Sequence, residues 1–165
     1  MNIIALKIRF LGSAREVGRA AIYVKSEKAQ ILLDYGVMLD HVPGFPMHIL
    51  PRDVDAIVLT HSHLDHSGSA PIFFIRDKKP VYGTRLTFEF TNLLIKDFIH
   101  LSSYYLPFEI VELRSMMKSC LNLNYRENQT LGDAQIQLLN SGHMPGGAHV
   151  LLEAEGKRLL YTSDY

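Results

Sequence analysis

The chain is poor in cysteine. Cys120 stands alone among 165 residues, which excludes an internal disulfide and fits a reducing compartment, so a cytoplasmic location is expected. A single thiol of this kind is expected to act as a small buried hydrophobe. An excess of either charge is also lacking. Seventeen basic residues balance seventeen acidic ones, for a formal net charge of zero. Nucleic-acid binders usually carry a basic excess, so any footprint for a polyanion must come from bound metal, local clustering or further chain. No apolar run approaches the roughly 20 residues that span a membrane, and no membrane contact is expected. Lys7 and Arg9 interrupt the apolar start "MNIIALKIRFLG", and no small-residue cleavage site follows it. That start reads as a strand, not a signal peptide. Repeats, low-complexity stretches and charge blocks are missing too. What remains is a globular composition, 47% hydrophobic, long enough for about one domain with its own core.

Patterning then suggests the elements. "LKIRFLG" alternates like a half-buried strand. "AAIYVKS" and "AQILLDYG" read as a strand pair joined by "SEKA". Residues 35–50 hold two prolines, two glycines and no period, which predicts a long loop of the kind that often carries function. "VDAIVLT" is a continuous apolar run, as in a strand covered on both faces. A helix is expected from about Ser67, and "KPVYG" is a short strand. Thr84 can cap a helix whose apolar face is Leu86, Phe90, Leu93, Leu94 and Phe98. A further helix falls within 108–119. "LNLNY" and "AQIQLLNSG" alternate like strands, and "AHVLLEAEGKRLLYTSD" reads as a hairpin turning at Gly156. Strands alternating with helices make this an α/β or α+β chain.

The densest chemistry is "THSHLDHSG", directly after the apolar "AIVL". Imidazole and carboxylate are good zinc ligands. His61 and His63 point the same way from an extended segment, because side-chain direction repeats every two residues. Asp65 and His66 follow where the backbone turns into a helix, and can face a second point nearby. One turn thus offers two pairs of ligands, suited to two metals about 3.5–4 Å apart. Chance produces such a run in a chain of this composition about once in a thousand. Two further candidates lie at strand ends, His143 in "NSGHMPGGAH" and Asp164 in "LLYTSDY". Asp34 also ends a strand, where its carboxylate could orient a metal-held histidine from behind. His41, His48, His100 and His149 have no such support and read as surface, loop or core residues.

These residues resemble a known pattern. "THSHLDH" resembles the H-x-H-x-D-H motif of the metallo-β-lactamase superfamily, "SGHMPGGA" its next histidine motif and "LLYTSDY" its following aspartate motif. Asp34 in "LLDYG" matches the aspartate that opens the series. "GSAREVGRAAIYVKSEKAQILLDYGV", with "EVGR" at 16–19, resembles the start of the β-CASP nucleases, the group of the mRNA 3′-end cleavage endonuclease and its archaeal homologues. The resemblance implies an αββα sandwich with the metals at the sheet edges. It implies that His61, His63 and His143 bind one zinc, that Asp65 and His66 bind a second, and that Asp164 bridges them. Asp65 and Asp34 are the candidate catalytic residues. The implied reaction is hydrolysis of phosphodiesters in single-stranded RNA, a hydroxide generated at the metals attacking phosphorus.

In that family the β-CASP domain, a late zinc ligand and the end of the metallo-β-lactamase domain follow the "TSDY"-like motif. Residues 1–165 are therefore expected to be the N-terminal part of a longer enzyme. Their second sheet should be unfinished, their second zinc site incomplete and their own catalysis weak. The exposed edge of that sheet should invite a homodimer or aggregation. Two other readings stand beside this one. They are a thioester or lactam hydrolase of the same superfamily, and a degenerate half that no longer catalyses.

Overall fold

The computed structural model describes residues 6–40 and 42–165. Expectations that fall on residues 1–5 and on His41 lie outside the described residues. Two sheets organise the rest. The first has six strands in the order β1-β2-β3-β4-β5-β6: β1 (Lys7–Phe10), β2 (Ile22–Lys25), β3 (Gln30–Leu33), β4 (Ala56–Val58), β5 (Val81–Gly83) and β6 (Cys120–Asn122). The strands β1 to β3 form an antiparallel meander, whereas β3 to β6 run parallel. Parallel neighbours need crossovers, and these carry α1 (Leu64–Ser67), α2 (Arg85–Leu101) and α3 (Ile110–Met117). The second sheet is an antiparallel meander of β7 (Asn128–Leu131), β8 (Ala134–Asn140), β9 (Ala148–Ala154) and β10 (Lys157–Tyr161).

Alternation along the strands separates two cores. Leu32, Ile57 and Leu59 face Phe73, Phe88, Ile95, Phe98, Leu113 and Met116 on the helix side. Val24, Ile31, Leu33, Ala56 and Val58 face Ile136, Leu138, Val150 and Leu152 of the second sheet. Strand β4 is buried on both faces, as its unbroken apolar run predicts. The second sheet is covered on one side, and Gln135, Glu153 and Leu160 on its other side are exposed. The described layers are therefore helix, sheet, sheet.

The structure departs from the sequence pattern at several elements. β1 is not half-buried: all four of its residues are exposed, because among the described residues it is an edge strand paired only with β2. No α-helix starts at Ser67. α1 ends there, and a 3-10 turn follows over Ala70–Phe74. The Ser67 hydroxyl bonds back to the carbonyls of Ser62 and His63, and Pro71 cannot donate to a continuing α-helix.

Thr84 caps α2 as expected, accepting from the Thr87 amide at 3.2 Å, but the helix turns a different face inward. Thr87, Phe88, Thr91, Ile95 and Phe98 are buried, whereas Leu86, Phe90 and Leu93 are exposed. The hydroxyls of Thr84 and Thr87 donate to the Gly146 carbonyl at 2.8 and 2.9 Å. This fixes the rotation of the helix about its axis. β7 has no counterpart in the expectations, since "NQTL" is mostly polar and alternates exposed with half-buried residues. The β9–β10 hairpin forms as expected, with Glu155 and Gly156 both at positive φ, the geometry of a two-residue type I′ turn.

Candidate metal centre

The residues singled out in the sequence converge where the ends of the two sheets meet. β3 ends at Leu33, and Asp34 then adopts φ 58, a left-handed conformation that Asp tolerates better than most residues. Two residues later the loop crosses the histidine motif so closely that a Cβ on Gly36 would stand 1.6 Å from the Asp65 carbonyl oxygen. Glycine is required there. The motif itself runs from the end of β4 into α1, with His63 as the helix N-cap. His143 sits in the loop between β8 and β9, and Asp164 follows β10.

The donor atoms face one another. His61 Nε2 lies 3.1 Å from His63 Nδ1, and His143 Nε2 lies 3.4 Å from the same atom. Asp164 Oδ2 is 3.6 Å from His143 Nε2 and 3.9 Å from His61 Nε2. Four ligands at about 2.0–2.2 Å from a tetrahedral metal stand about 3.3–3.6 Å apart. These four separations bracket that range and all donor pairs lie within 4.8 Å, so three imidazoles and one carboxylate could hold a metal ion between them. A second grouping lies beside the first. His66 Nε2 is 3.8 Å from Asp65 Oδ2 and 3.5 Å from Asp164 Oδ1. Asp164 thus turns one oxygen toward each grouping.

Behind the donors lies a buried hydrogen-bond network. Asp34 is fully buried. Its Oδ1 accepts from the Thr60 amide at 2.8 Å, and its Oδ2 accepts from the Thr60 hydroxyl at 2.7 Å and from His66 Nδ1 at 2.8 Å. A carboxylate at Nδ1 keeps that nitrogen protonated and leaves the Nε2 lone pair of His66 facing the centre. His48 and His100 are exposed and take no part, and His149 bonds instead to the Thr162 carbonyl.

Burial and charge divide the histidines. Burial, followed by the nearby His66, pushes His61 down to about 4, which keeps its ring neutral and able to ligate at neutral pH. Burial also acts to lower His66, but the hydrogen bond and charge of Asp34, with Asp65 and Asp164, outweigh it and hold that ring above its ordinary value. Cys120 lies outside the centre, and burial raises its thiol to about 12, consistent with an inert packing residue. Beside Asp65, His66 and Asp164 opens a cavity of about 330 Å³, walled by Phe10, Gly12 and the loop 13–18.

Thr60, Tyr161 and Ser163 touch this network and were not picked out as site residues. Each lies within the quoted motifs, one to three positions from a ligand candidate. A hydroxyl in that place was the available signal.

The chain belongs to the metallo-beta-lactamase superfamily, whose family model matches residues 14–165. Members of this superfamily are metal-dependent, in keeping with the donor set above. Over 160 residues the chain is 38% identical to "RNase aCSPSF2" of Saccharolobus solfataricus, covering 95% of this chain and 32% of that protein. Over 165 residues it is 35% identical to "Probable RNase MJ4" of Methanocaldococcus jannaschii, covering 96% and 39%. The chain thus spans about a third of the length of the curated relatives it matches. A solved metallo-β-lactamase of Cronobacter sakazakii superposes with a TM-score of 0.64 at 18% identity, covering 93% of this chain and 58% of that one. This likeness establishes the shared fold. Among the described residues, no helix is long and apolar enough to cross a membrane.

Proposed function

We propose that these residues are the N-terminal, metal-binding part of a zinc-dependent ribonuclease of the β-CASP group, working in the cytoplasm on single-stranded RNA. The observation that carries the reading is the donor shell at the joint of the two sheets, in a chain similar to proteins named as ribonucleases. His61, His63 and His143 would hold one zinc, Asp65 and His66 a second, and Asp164 would share its two oxygens between them. Zinc bound there supplies Lewis acidity toward a phosphoryl oxygen and activates water near neutral pH. The protein's own contribution is to aim the histidine lone pairs, keep the His61 ring neutral and leave the Asp65 side open to substrate. The second grouping has two ligands of its own and one shared. It should hold metal more weakly until the rest of the enzyme adds a ligand, and the open second sheet should favour self-association.

Elemental analysis of protein purified without chelators should find zinc, and His63→Ala should lose most of it. The protein at the length of its relatives should cleave single-stranded RNA and ignore thioesters. Asp65→Asn should abolish the cleavage while leaving the fold intact. Thioester turnover without RNA cleavage would overturn the substrate assignment, and absence of zinc would overturn the metal centre.

A further inference from the structure

The second sheet supplies more than His143 and Asp164 to the centre. Tyr161 is the last residue of β10, paired with Val150 of β9. Its hydroxyl donates to Asp34 Oδ2 at 3.1 Å. That same oxygen already accepts from the Thr60 hydroxyl and His66 Nδ1, so three donors from two sheets meet on one carboxylate oxygen. Ser163, two residues further on, stands 2.9 Å from Thr60 Oγ1 and 3.3 Å from His66 Nδ1.

The donor inventory fixes the direction of these bonds. An ionised carboxylate only accepts, so the single Thr60 hydroxyl proton goes to Asp34. The Thr60 oxygen is then an acceptor toward its other neighbours. One of these is His61 Nδ1, 3.1 Å away. An acceptor at Nδ1 keeps the proton on that nitrogen and leaves the Nε2 lone pair for the centre. Ser163 in turn donates to Thr60. Asp34 therefore sets the tautomer of one histidine in each grouping, that of His66 directly and that of His61 through Thr60.

We propose that Tyr161 is a positioning residue for the metal centre: from the second sheet it holds the Asp34 carboxylate in the orientation from which the Asp34–Thr60 relay sets the tautomers of His61 and His66. The inference rests on the metal-centre reading above and deepens it. It ties the aim of two ligands on the first sheet to the seating of β10, the strand that delivers Asp164. Burial, followed by the charge of Asp34, raises the Tyr161 hydroxyl above its ordinary range, so it stays a donor. A phenylalanine there keeps the ring, which packs against the core between the sheets, and removes the donor alone.

The test combines two readouts on the intact chain. In the metal-free protein, correlation of ring protons with the ring nitrogens reports which nitrogen of His61 and His66 carries the proton. At a pH where both rings are neutral, wild type should carry it on Nδ1 in both. Tyr161→Phe should populate the other tautomer in both rings, and chelator competition should show zinc affinity lowered about tenfold or more, the usual size of such orienting effects. Thr60→Val should move the His61 tautomer, and Thr60→Ser should restore it. A merely structural role for Tyr161 predicts a lower melting temperature with unchanged tautomers, and that result overturns the proposal. So does zinc affinity within twofold of wild type in both Tyr161→Phe and Thr60→Val. A wild-type chain that binds no zinc would instead defeat the metal-centre reading, while the tautomer measurement would still decide the relay.

Discussion

The two sheets contribute to one centre in different ways. The first brings Asp34, His61 and His66, all buried and tied to one another by hydrogen bonds, together with the exposed His63 and the half-buried Asp65 at its open side. The second brings His143 and Asp164, whose side chains are 26% and 44% exposed. The first sheet is packed on both faces, while the second is packed on one. The Asp34, His61 and His66 part of the centre is thus preorganised by burial, and His63, Asp65, His143 and Asp164 stand where water can reach them. Under the proposed reading, such a centre would keep firm ligands on one side and an open face on the other, as catalytic metal sites require.

The contrast can be broken most sharply in the cores. Ile57 is fully buried on the doubly covered sheet, and Ile57→Ala should lower unfolding free energy by about 2–5 kcal/mol, measured by denaturant titration. Within the buried part of the centre, Asp34→Asn sets an amide N–H either against the Thr60 backbone amide or against the Thr60, Tyr161 and His66 groups, which must then reverse from donor to acceptor. It should cost about 1–3 kcal/mol in the metal-free protein, with metal affinity falling about tenfold to a hundredfold. In the exposed half, Asp164→Asn should weaken metal binding while stability stays within about 0.5 kcal/mol. Equal stability losses in these two variants would show that the halves are not organised differently. The smallest effect is expected at the open face. Leu160 is 50% exposed on β10, and Leu160→Lys should leave stability within about 0.5 kcal/mol while reducing self-association in sedimentation experiments.

Much of this is legible in the sequence. The ligand candidates were visible because each is a costly polar residue at the end of an apolar strand, and "THSHLDH" clusters four of them. The β9–β10 hairpin was visible because Glu155-Gly156 has few conformations open to it. The face of α2 was not legible. Leu86, Phe90 and Leu93 make the more apolar stripe, but the helix is rotated by Thr84 and Thr87 bonding to the Gly146 carbonyl, 59 to 62 residues away along the chain. Nothing local to the helix records that contact. β7 was missed for a related reason, since a polar strand is held by its neighbour β8 and not by a pattern of its own.

By itself the sequence determined which residues could ligate a metal and roughly which element would carry each, because side-chain chemistry and short-range periodicity are local properties. Only the tertiary structure decided that Asp164 turns one oxygen to each grouping, and that Tyr161 and Thr60 meet on Asp34. It also decided which face of α2 is buried. Those outcomes depend on how two sheets and a helix dock across separations of 60 to 130 residues, where packing and a few buried hydrogen bonds outweigh any local preference.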